Sequence, residues 1–104
     1  AYAANRQFDV AIATLQGALQ LIEKDSKQQE LYASLISDLG LIYFTQGDFI
    51  KARENNLKAL KILQKIFSKS YKIAIIYNNL AKIAAAEKDH TAALDFVQQA
   101  LITN

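Results

Sequence analysis

The side chains that most often carry out catalysis or bind metals are few in this sequence, and they are scattered. His90 is the single histidine and cysteine is absent, so neither a Cys nucleophile nor a thiolate zinc site is available. The sequence holds no HExxH motif and no glycine-rich phosphate loop. The serines have no base in a recognisable triad, and the carboxylates form no identifiable acid–base pair. We therefore expect no catalytic, metal or cofactor site, and no enzyme.

Positive charge is concentrated in residues 51–82, which hold eight of the twelve Lys and Arg residues and one acidic residue. Lys58, Lys61 and Lys65 are spaced to share one face of a helix. Such a face could bind an acidic protein, a nucleic acid or a membrane surface. We favour the simpler interpretation, a solvated outer face. Arginine is scarce and no nucleic-acid-binding motif is present, so no nucleic-acid partner is expected.

The composition indicates which elements must position these side chains. The chain has 104 residues, of which 52% are hydrophobic, with a net charge of +2, three Gly and no Pro. A hydrophobic chain of this length is typical of a single domain. So little Gly and Pro disfavours folds that depend on tight turns. Long helices with short connections are therefore expected.

The hydropathy and the termini of the chain indicate whether the protein is expected in a membrane or in solution. No apolar stretch reaches the length of about 18 residues that suggests a membrane span, and no signal peptide is visible. We expect a soluble protein, for which the cytoplasm is favoured. The chain begins without Met, so we interpret it as an excised or processed piece.

Residues of the same kind recur at a spacing of 41. Three positions recur three times: Ala11, Ala52 and Ala93; Ala18, Ala59 and Ala100; Leu19, Leu60 and Leu101. Several pairs share the spacing: Tyr2 and Tyr43, Ala33 and Ala74, Leu39 and Leu80, Ile42 and Ile83, Asp48 and Asp89. An internal repeat at one period predicts an array of similar units.

Apolar residues within each period follow helical spacing and indicate two helices joined by a short turn. Gly47 is suited to end one helix and Asp48 to cap the next. One period later, Lys88-Asp89 retains the capping Asp but not the Gly. Ser26, and either Ser68 or Ser70, are predicted to cap the helices that follow them. The predicted helices are 8–24, 28–46, 49–67, 70–87 and 90–103, with residues 1–5 as the end of an earlier helix.

Two positions depart from the apolar register. Asn56 occupies the register of Leu15 and Val97, so we expect it to be buried and either to find a hydrogen bond or to turn the helix slightly. His90 shares the register of Phe8 and Phe49, so it is predicted to pack at a turn rather than to act in catalysis.

These residues carry a family resemblance. The run Leu39-Gly40-Leu41-Ile42-Tyr43, followed by Gly47-Asp48-Phe49, Ala52 and Ala59, resembles the tetratricopeptide repeat. The run Leu80 to Ala84 with Asp89, Ala93 and Ala100 is similar but weaker, and the first unit keeps Tyr2, Phe8, Ala11, Ala18 and Leu19. The period exceeds the common 34 residues. In this it is similar to the long repeats of kinesin light chain, and also to those of bacterial regulators.

The resemblance implies an all-α solenoid of antiparallel helix hairpins with right-handed superhelical stacking. One domain, 1–104, is expected, divided into a partial repeat over 1–25 and full repeats over 26–66 and 67–104. The first helix of each pair would line a concave groove for a peptide or a partner helix. The implied groove positions are Ser34, Ser37, Asp38, Leu41, Phe44 and Thr45, then Ile75, Asn78, Asn79, Lys82, Ala85 and Ala86, with Ala3 and Ala4 as a remnant.

Asn79, and then Asn78, are the strongest binding candidates, because an amide can donate to and accept from a peptide backbone of any sequence. The alternative is that both asparagines merely face solvent. A carboxylate clamp is not expected, because Ser37 and Leu41 stand where charged or amide donors would be needed.

The implied function is a protein–protein interaction scaffold. The alternative is a sensory or regulatory module of a larger signalling or transcription-regulating protein. We also expect the array ends to expose apolar residues such as Leu94, Phe96, Val97 and Leu101, and so to favour self-association.

Overall fold

The computed structural model describes residues 2–103, with side chains from residue 6 onward. Within this range the chain forms α-helices and no strand. The helices are α1 (Tyr2–Ile22), α2 (Gln29–Thr45), α3 (Phe49–Ile66), α4 (Tyr71–Ala86) and α5 (His90–Thr103), with a single 3₁₀ turn at Ser26–Gln28. The predicted all-α class is therefore confirmed. No helix in this range combines the length and the apolar character that crossing a bilayer requires.

The turns inside the α2–α3 and α4–α5 hairpins have the same backbone geometry. Gly47 has a φ of 84°, and its N–H donates to the Phe44 carbonyl at 3.0 Å, while the Asp48 N–H reaches the Tyr43 carbonyl at 2.9 Å. Lys88 takes the same left-handed conformation with a φ of 62° and makes the equivalent bond to Ala85 at 3.0 Å. This pair of bonds satisfies carbonyl groups that the helix end leaves free.

Side-chain caps start α3, α4 and α5, as expected from the sequence. The Asp48 carboxylate accepts from the Lys51 N–H at 3.1 Å, and Asp89 accepts from the Ala92 N–H at 3.1 Å. Ser70, rather than Ser68, caps α4 by accepting from the Lys72 N–H at 3.1 Å. The prediction for Ser26 was wrong. Asp25 accepts from Lys27 N–H at 2.9 Å and starts the 3₁₀ turn, inside which Ser26 lies.

The N-terminal helix corrects a second prediction. Residues 2–5 are not the end of an earlier helix but the first turn of α1, and residue 1 lies outside the described residues. The local sequence explains why α1 is not interrupted. Arg6-Gln7 occupies the position of the Gly47-Asp48 turn one period earlier. Neither residue offers the left-handed tolerance of Gly or the capping carboxylate of Asp, so the helix runs on. Ala3 and Ala4 therefore belong to α1, not to a separate first helix.

The core lies where α2, α3 and α4 meet. Its buried members are Tyr32, Ala33, Ile36, Ala59, Leu60, Leu63, Ile73, Ile76 and Leu80. Leu19 and Ile22 reach it from α1, and Phe96 reaches it from α5. The radius of gyration is 14.1 Å, above the roughly 13 Å of a compact 100-residue domain. Hairpins stacked in a row account for this extended shape.

His90 does not pack as the register predicted. It is exposed at the first position of α5, whereas Phe8 and Phe49 are half-buried. Phe49 gains a partner in Phe44, with ring centroids 5.5 Å apart. The residue one period after Phe44 is Ala85, which is exposed and has no ring to offer His90.

Candidate functional site

A groove of about 200 Å³ runs between the first helices of the two hairpins, α2 and α4. It brings together four of the predicted positions, Ser34, Ser37 and Asp38 from α2 and Ile75 from α4. The floor is apolar, and the complete lining is Ala33, Ser34, Ser37, Asp38, Leu63, Tyr71, Lys72, Ile75 and Ile76. We call this space the α2–α4 groove.

Besides the buried residues Ala33, Leu63 and Ile76, two groove residues were missed from the sequence. Tyr71 lies four residues, or one turn, before Ile75 and is 64% exposed, so helical spacing alone could have identified it. Lys72 was counted with the basic segment, but it forms an ion pair with Glu30 that joins α4 to α2. The hydrogen bond and the charge of Glu30 raise the pKa of Lys72, against the opposing effect of partial burial.

The remaining predicted positions lie further along α2 and α4. Leu41, Phe44, Asn79 and Lys82 surround a hollow of about 20 Å³, together with Gly40, Asn56 and Ile83. This volume holds about one water molecule, which needs at least 10–15 Å³. Leu41 is 58% exposed, so its side chain offers apolar surface to a partner rather than filling the hollow.

Asn79 is half-buried and ties three helices together. Its amide nitrogen donates to the Ser37 hydroxyl at 3.3 Å and to the Asn56 side-chain oxygen at 3.2 Å. The Ser37 hydroxyl lies 3.5 Å from the same Asn56 oxygen. Both amide protons of Asn79 are thus used inside the molecule, and its carbonyl oxygen is the atom left for a partner.

Asn56 is 1% exposed, and both polar atoms of its side chain have a hydrogen-bond partner. It accepts from Asn79 and donates to the Ala52 carbonyl at 2.8 Å. Among the described residues, no buried side-chain nitrogen or oxygen lacks a partner. The prediction that Asn56 finds a hydrogen bond is therefore confirmed.

Gly40 permits this arrangement. A Cβ at this position would lie 2.7 Å from the Asn56 amide nitrogen and 3.2 Å from the Ala52 carbonyl oxygen. Because α2 and α3 approach so closely here, the site requires a residue without a side chain.

Asn78 lies on a different surface. With Lys82 and Ala85 it lines a shallow groove of about 560 Å³ between α4 and α5, together with Ala81, Ala93, Leu94 and Val97. The structure therefore separates the two asparagines that the sequence pairs. We call this surface the α4–α5 face.

The α2–α4 groove contains two charged side chains, and their environments differ. Burial raises the pKa of the Asp38 carboxyl, because partial loss of water disfavours the charged form. Among the described residues, the ion pairs are Lys72 with Glu30 and Arg53 with Glu87, so Asp38 forms no ion pair.

Four of the eight cations in residues 51–82 are engaged within the molecule. Arg53 and Lys72 form ion pairs. The Lys51 ammonium lies 5.3 Å from the centroid of the Tyr43 ring, and the Lys58 ammonium lies 5.5 Å from that of Tyr32. Lys61 and Lys65 are exposed on the outer side of α3. Among residues 2–103, no His, Asp and Glu side chains cluster in the number that a metal ion needs.

Comparison with known proteins adds one finding. A family model described as tetratricopeptide repeat matches residues 1–65 and, a second time, residues 31–101. The two matched spans cover nearly the whole chain, in agreement with the resemblance carried by Leu39–Tyr43 and Gly47–Phe49. No curated protein matches the chain.

Proposed function

Because the chain belongs to the tetratricopeptide repeat family, a non-catalytic helical repeat that mediates protein–protein interaction, we propose that its α2–α4 groove binds a peptide or a partner helix. The observation that carries the proposal is the convergence of Ser34, Ser37, Asp38 and Ile75 on one groove. Hydroxyls, a carboxylate and exposed apolar surface at one place supply both orientation and buried area for a peptide.

Residues of the α2–α4 groove, and residues around the small hollow further along the same helices, have separate parts in this proposal. Ile75 and Leu41 are 49% and 58% exposed and would bury apolar surface against the partner. The free carbonyl oxygen of Asn79 would accept from a peptide N–H, and Lys82 beside it would pair with an acidic group or a backbone carbonyl. Asn78 would contact a partner only if that partner extends onto the α4–α5 face.

A blocked groove tests the proposal. Ile75→Arg places a long charged side chain in the groove, and Leu57→Arg makes the same change on the outer side of α3, where Leu57 is 44% exposed. Random linear peptides displayed on phage would be selected against the wild type and both variants. We expect enriched sequences with the wild type and with Leu57→Arg, and their loss with Ile75→Arg. Enrichment that survives Ile75→Arg would place peptide binding elsewhere.

We also propose that the α4–α5 face self-associates. Leu94, Val97 and Leu101 are 61%, 40% and 74% exposed, and no helix among residues 2–103 covers them. Contiguous exposed apolar side chains favour association with a second apolar surface. Light scattering across a concentration series should show a rising mass for the wild type and a constant mass for Leu94→Arg. A wild type that stays monomeric at high concentration would refute self-association.

A further inference from the structure

The charges in the α2–α4 groove do not balance. Lys72 is held by Glu30, so its charge is already compensated. Within residues 6–103, no ion pair or side-chain hydrogen bond involves the Asp38 carboxylate, which lines the same groove. Asp38 is exposed overall, and the partial burial that the groove imposes on its carboxyl raises the pKa of that group. A cation at this point would offset the cost of that partial burial.

The size of the groove limits what can supply the cation. Its volume of about 200 Å³ lies below the roughly 300–1,000 Å³ of small-molecule pockets. It is several times the volume of a water molecule, about 30 Å³. The space therefore fits one long side chain of a larger partner rather than a free ligand.

The walls suit the stem and head of a basic side chain. Ile75 and Tyr71 present exposed apolar surface, along which the methylenes of Lys or Arg can lie. The Tyr71 ring can also attract a cation over its face. The same contact occurs elsewhere in the molecule, where Lys51 lies over Tyr43 and Lys58 over Tyr32.

We propose that the α2–α4 groove selects a partner segment carrying a Lys or Arg side chain, which lies along Ile75 and pairs with Asp38. This specificity rests on the proposed peptide-binding function. The Ser34 hydroxyl, on the same wall, accepts a further N–H from the basic group. An acidic side chain would instead meet the Asp38 charge and would have to displace Glu30 from Lys72.

The test uses the full chain and a peptide library. Random linear peptides displayed on phage are selected against the wild type, Asp38→Asn and Asp95→Asn. Asp95 is exposed on α5, so its variant is a matched control for removal of one carboxylate. We expect the wild type and Asp95→Asn to enrich peptides that share Lys or Arg at one position, and Asp38→Asn to lose that preference.

A second measurement isolates the charge. In one enriched synthetic peptide the shared basic residue is replaced by norleucine, which keeps the apolar stem. Binding to the wild type should weaken about tenfold, as expected for loss of a charge-assisted hydrogen bond. Binding to Asp38→Asn should change by less than about twofold, because there is no carboxylate left to lose.

The outcomes separate this inference from the proposed function. Two results would overturn the basic specificity and leave groove binding intact. One is a set of enriched peptides that share no basic position, and the other is a basic preference that persists in Asp38→Asn. No enriched peptide with any of the three proteins, or enrichment that persists in Ile75→Arg, would overturn groove binding itself.

Discussion

The α2–α3 and α4–α5 hairpins share one sequence period but differ in the surface that each presents to a neighbouring helix. On the α2–α3 hairpin, Ser37 and Asn56 meet Asn79 of α4 through side-chain hydrogen bonds, and Gly40 lies beside them. One period later, the positions of Ser37, Gly40 and Asn56 are taken by residues on an open face: Asn78, Ala81 and Val97. A polar, closely packed junction has thus been replaced by a more apolar one with no bonded acceptor.

The difference shows how one fold accommodates two kinds of neighbour. The α2–α3 surface accepts a helix that carries an amide at the position of Asn79, because Asn56 offers a buried oxygen. Val97 offers no such oxygen, so a helix on the α4–α5 face gains most from an apolar side chain there. The polar junction holds α4 by hydrogen bonding, whereas a helix packed on the open face would be held mainly by buried apolar area.

The largest effect is expected when the polar junction is converted into the apolar one. Asn56→Val removes the acceptor shared by the half-buried Asn79 amide and the Ser37 hydroxyl, and so leaves one proton of each without its partner. We expect the free energy of unfolding to fall by about 2–3 kcal/mol. The measurement is urea unfolding followed by circular dichroism.

The reverse substitution is the matched control. Val97 is 40% exposed, so Val97→Asn exposes its amide to water and should change the free energy of unfolding by less than about 0.5 kcal/mol. Equal losses for Asn56→Val and Val97→Asn would show that the two junctions do not differ in polarity.

The next effect concerns how closely the helices approach. Gly40→Ala introduces a Cβ 2.7 Å from the Asn56 amide nitrogen and 3.2 Å from the Ala52 carbonyl oxygen. The Asn56 amide is fixed by its hydrogen bonds and cannot move without breaking them. We expect a net loss of about 1–2 kcal/mol in the same unfolding assay, since overpacking outweighs the gain in helix propensity.

A glycine in a different helix checks this result. Gly17 lies in α1, and a Cβ added there would have no neighbouring atom within 4 Å, so Gly17→Ala causes no clash. It should stabilise the chain by up to about 1 kcal/mol through helix propensity alone. Stabilisation by both Gly40→Ala and Gly17→Ala would contradict the close approach of α2 and α3.

The two hairpin turns offer a smaller test with opposite signs. Gly47 and Lys88 share the left-handed conformation, which costs a residue with a Cβ roughly 1–2 kcal/mol. Lys88→Gly should therefore raise the free energy of unfolding by about 1 kcal/mol, and Gly47→Lys should lower it by a similar amount. Melting temperatures should move in opposite directions, by about 4 °C for each variant. A shift of the same sign in both would show that the turns are not equivalent.

Features that depend on residues close together in the chain could be predicted from the sequence more readily than features that depend on distant ones. Helix ends depend on a few adjacent residues, so the Gly47-Asp48 turn could be predicted and the cap of α4 could be narrowed to Ser68 or Ser70. Asp25 and Ser26 are both good caps, and propensity alone could not choose between them. The groove positions Ser37, Asp38 and Ile75 came from the family resemblance, and these three residues line one groove.

Interactions between distant helices escaped prediction. The internal use of the Asn79 amide depends on Ser37 in α2 and Asn56 in α3 at the same time. The ion pair of Lys72 with Glu30 likewise joins residues 42 apart. Residue type and spacing identify which side chains are polar, but the packing of three helices decides whether their atoms face a partner or each other.

The smallest effect concerns Asp38, the counterpart of Asn79 one period earlier. The residue one period before Asn56 is Leu15, which has no polar atom, so the register supplies Asp38 with no equivalent of the Asn56 oxygen and amide. Because burial raises the folded-state pKa of Asp38 above the ordinary 3.8, the charged form disfavours folding at neutral pH. That penalty is fully present above the folded pKa and disappears as the pH falls below the unfolded value.

Asp38→Asn should therefore be as stable as the wild type at low pH and slightly more stable at neutral pH. Because Asp38 is exposed, the gain is limited to less than about 0.5 kcal/mol. Unfolding free energies of both proteins, measured from neutral pH down to below 3.8, would show the gap closing. A wild type that is more stable than Asp38→Asn at neutral pH, and that loses this advantage as the pH falls, would mean that Asp38 is stabilised as a carboxylate in the folded chain. In that case the groove would already contain its cation, and no basic partner would be needed to compensate the charge.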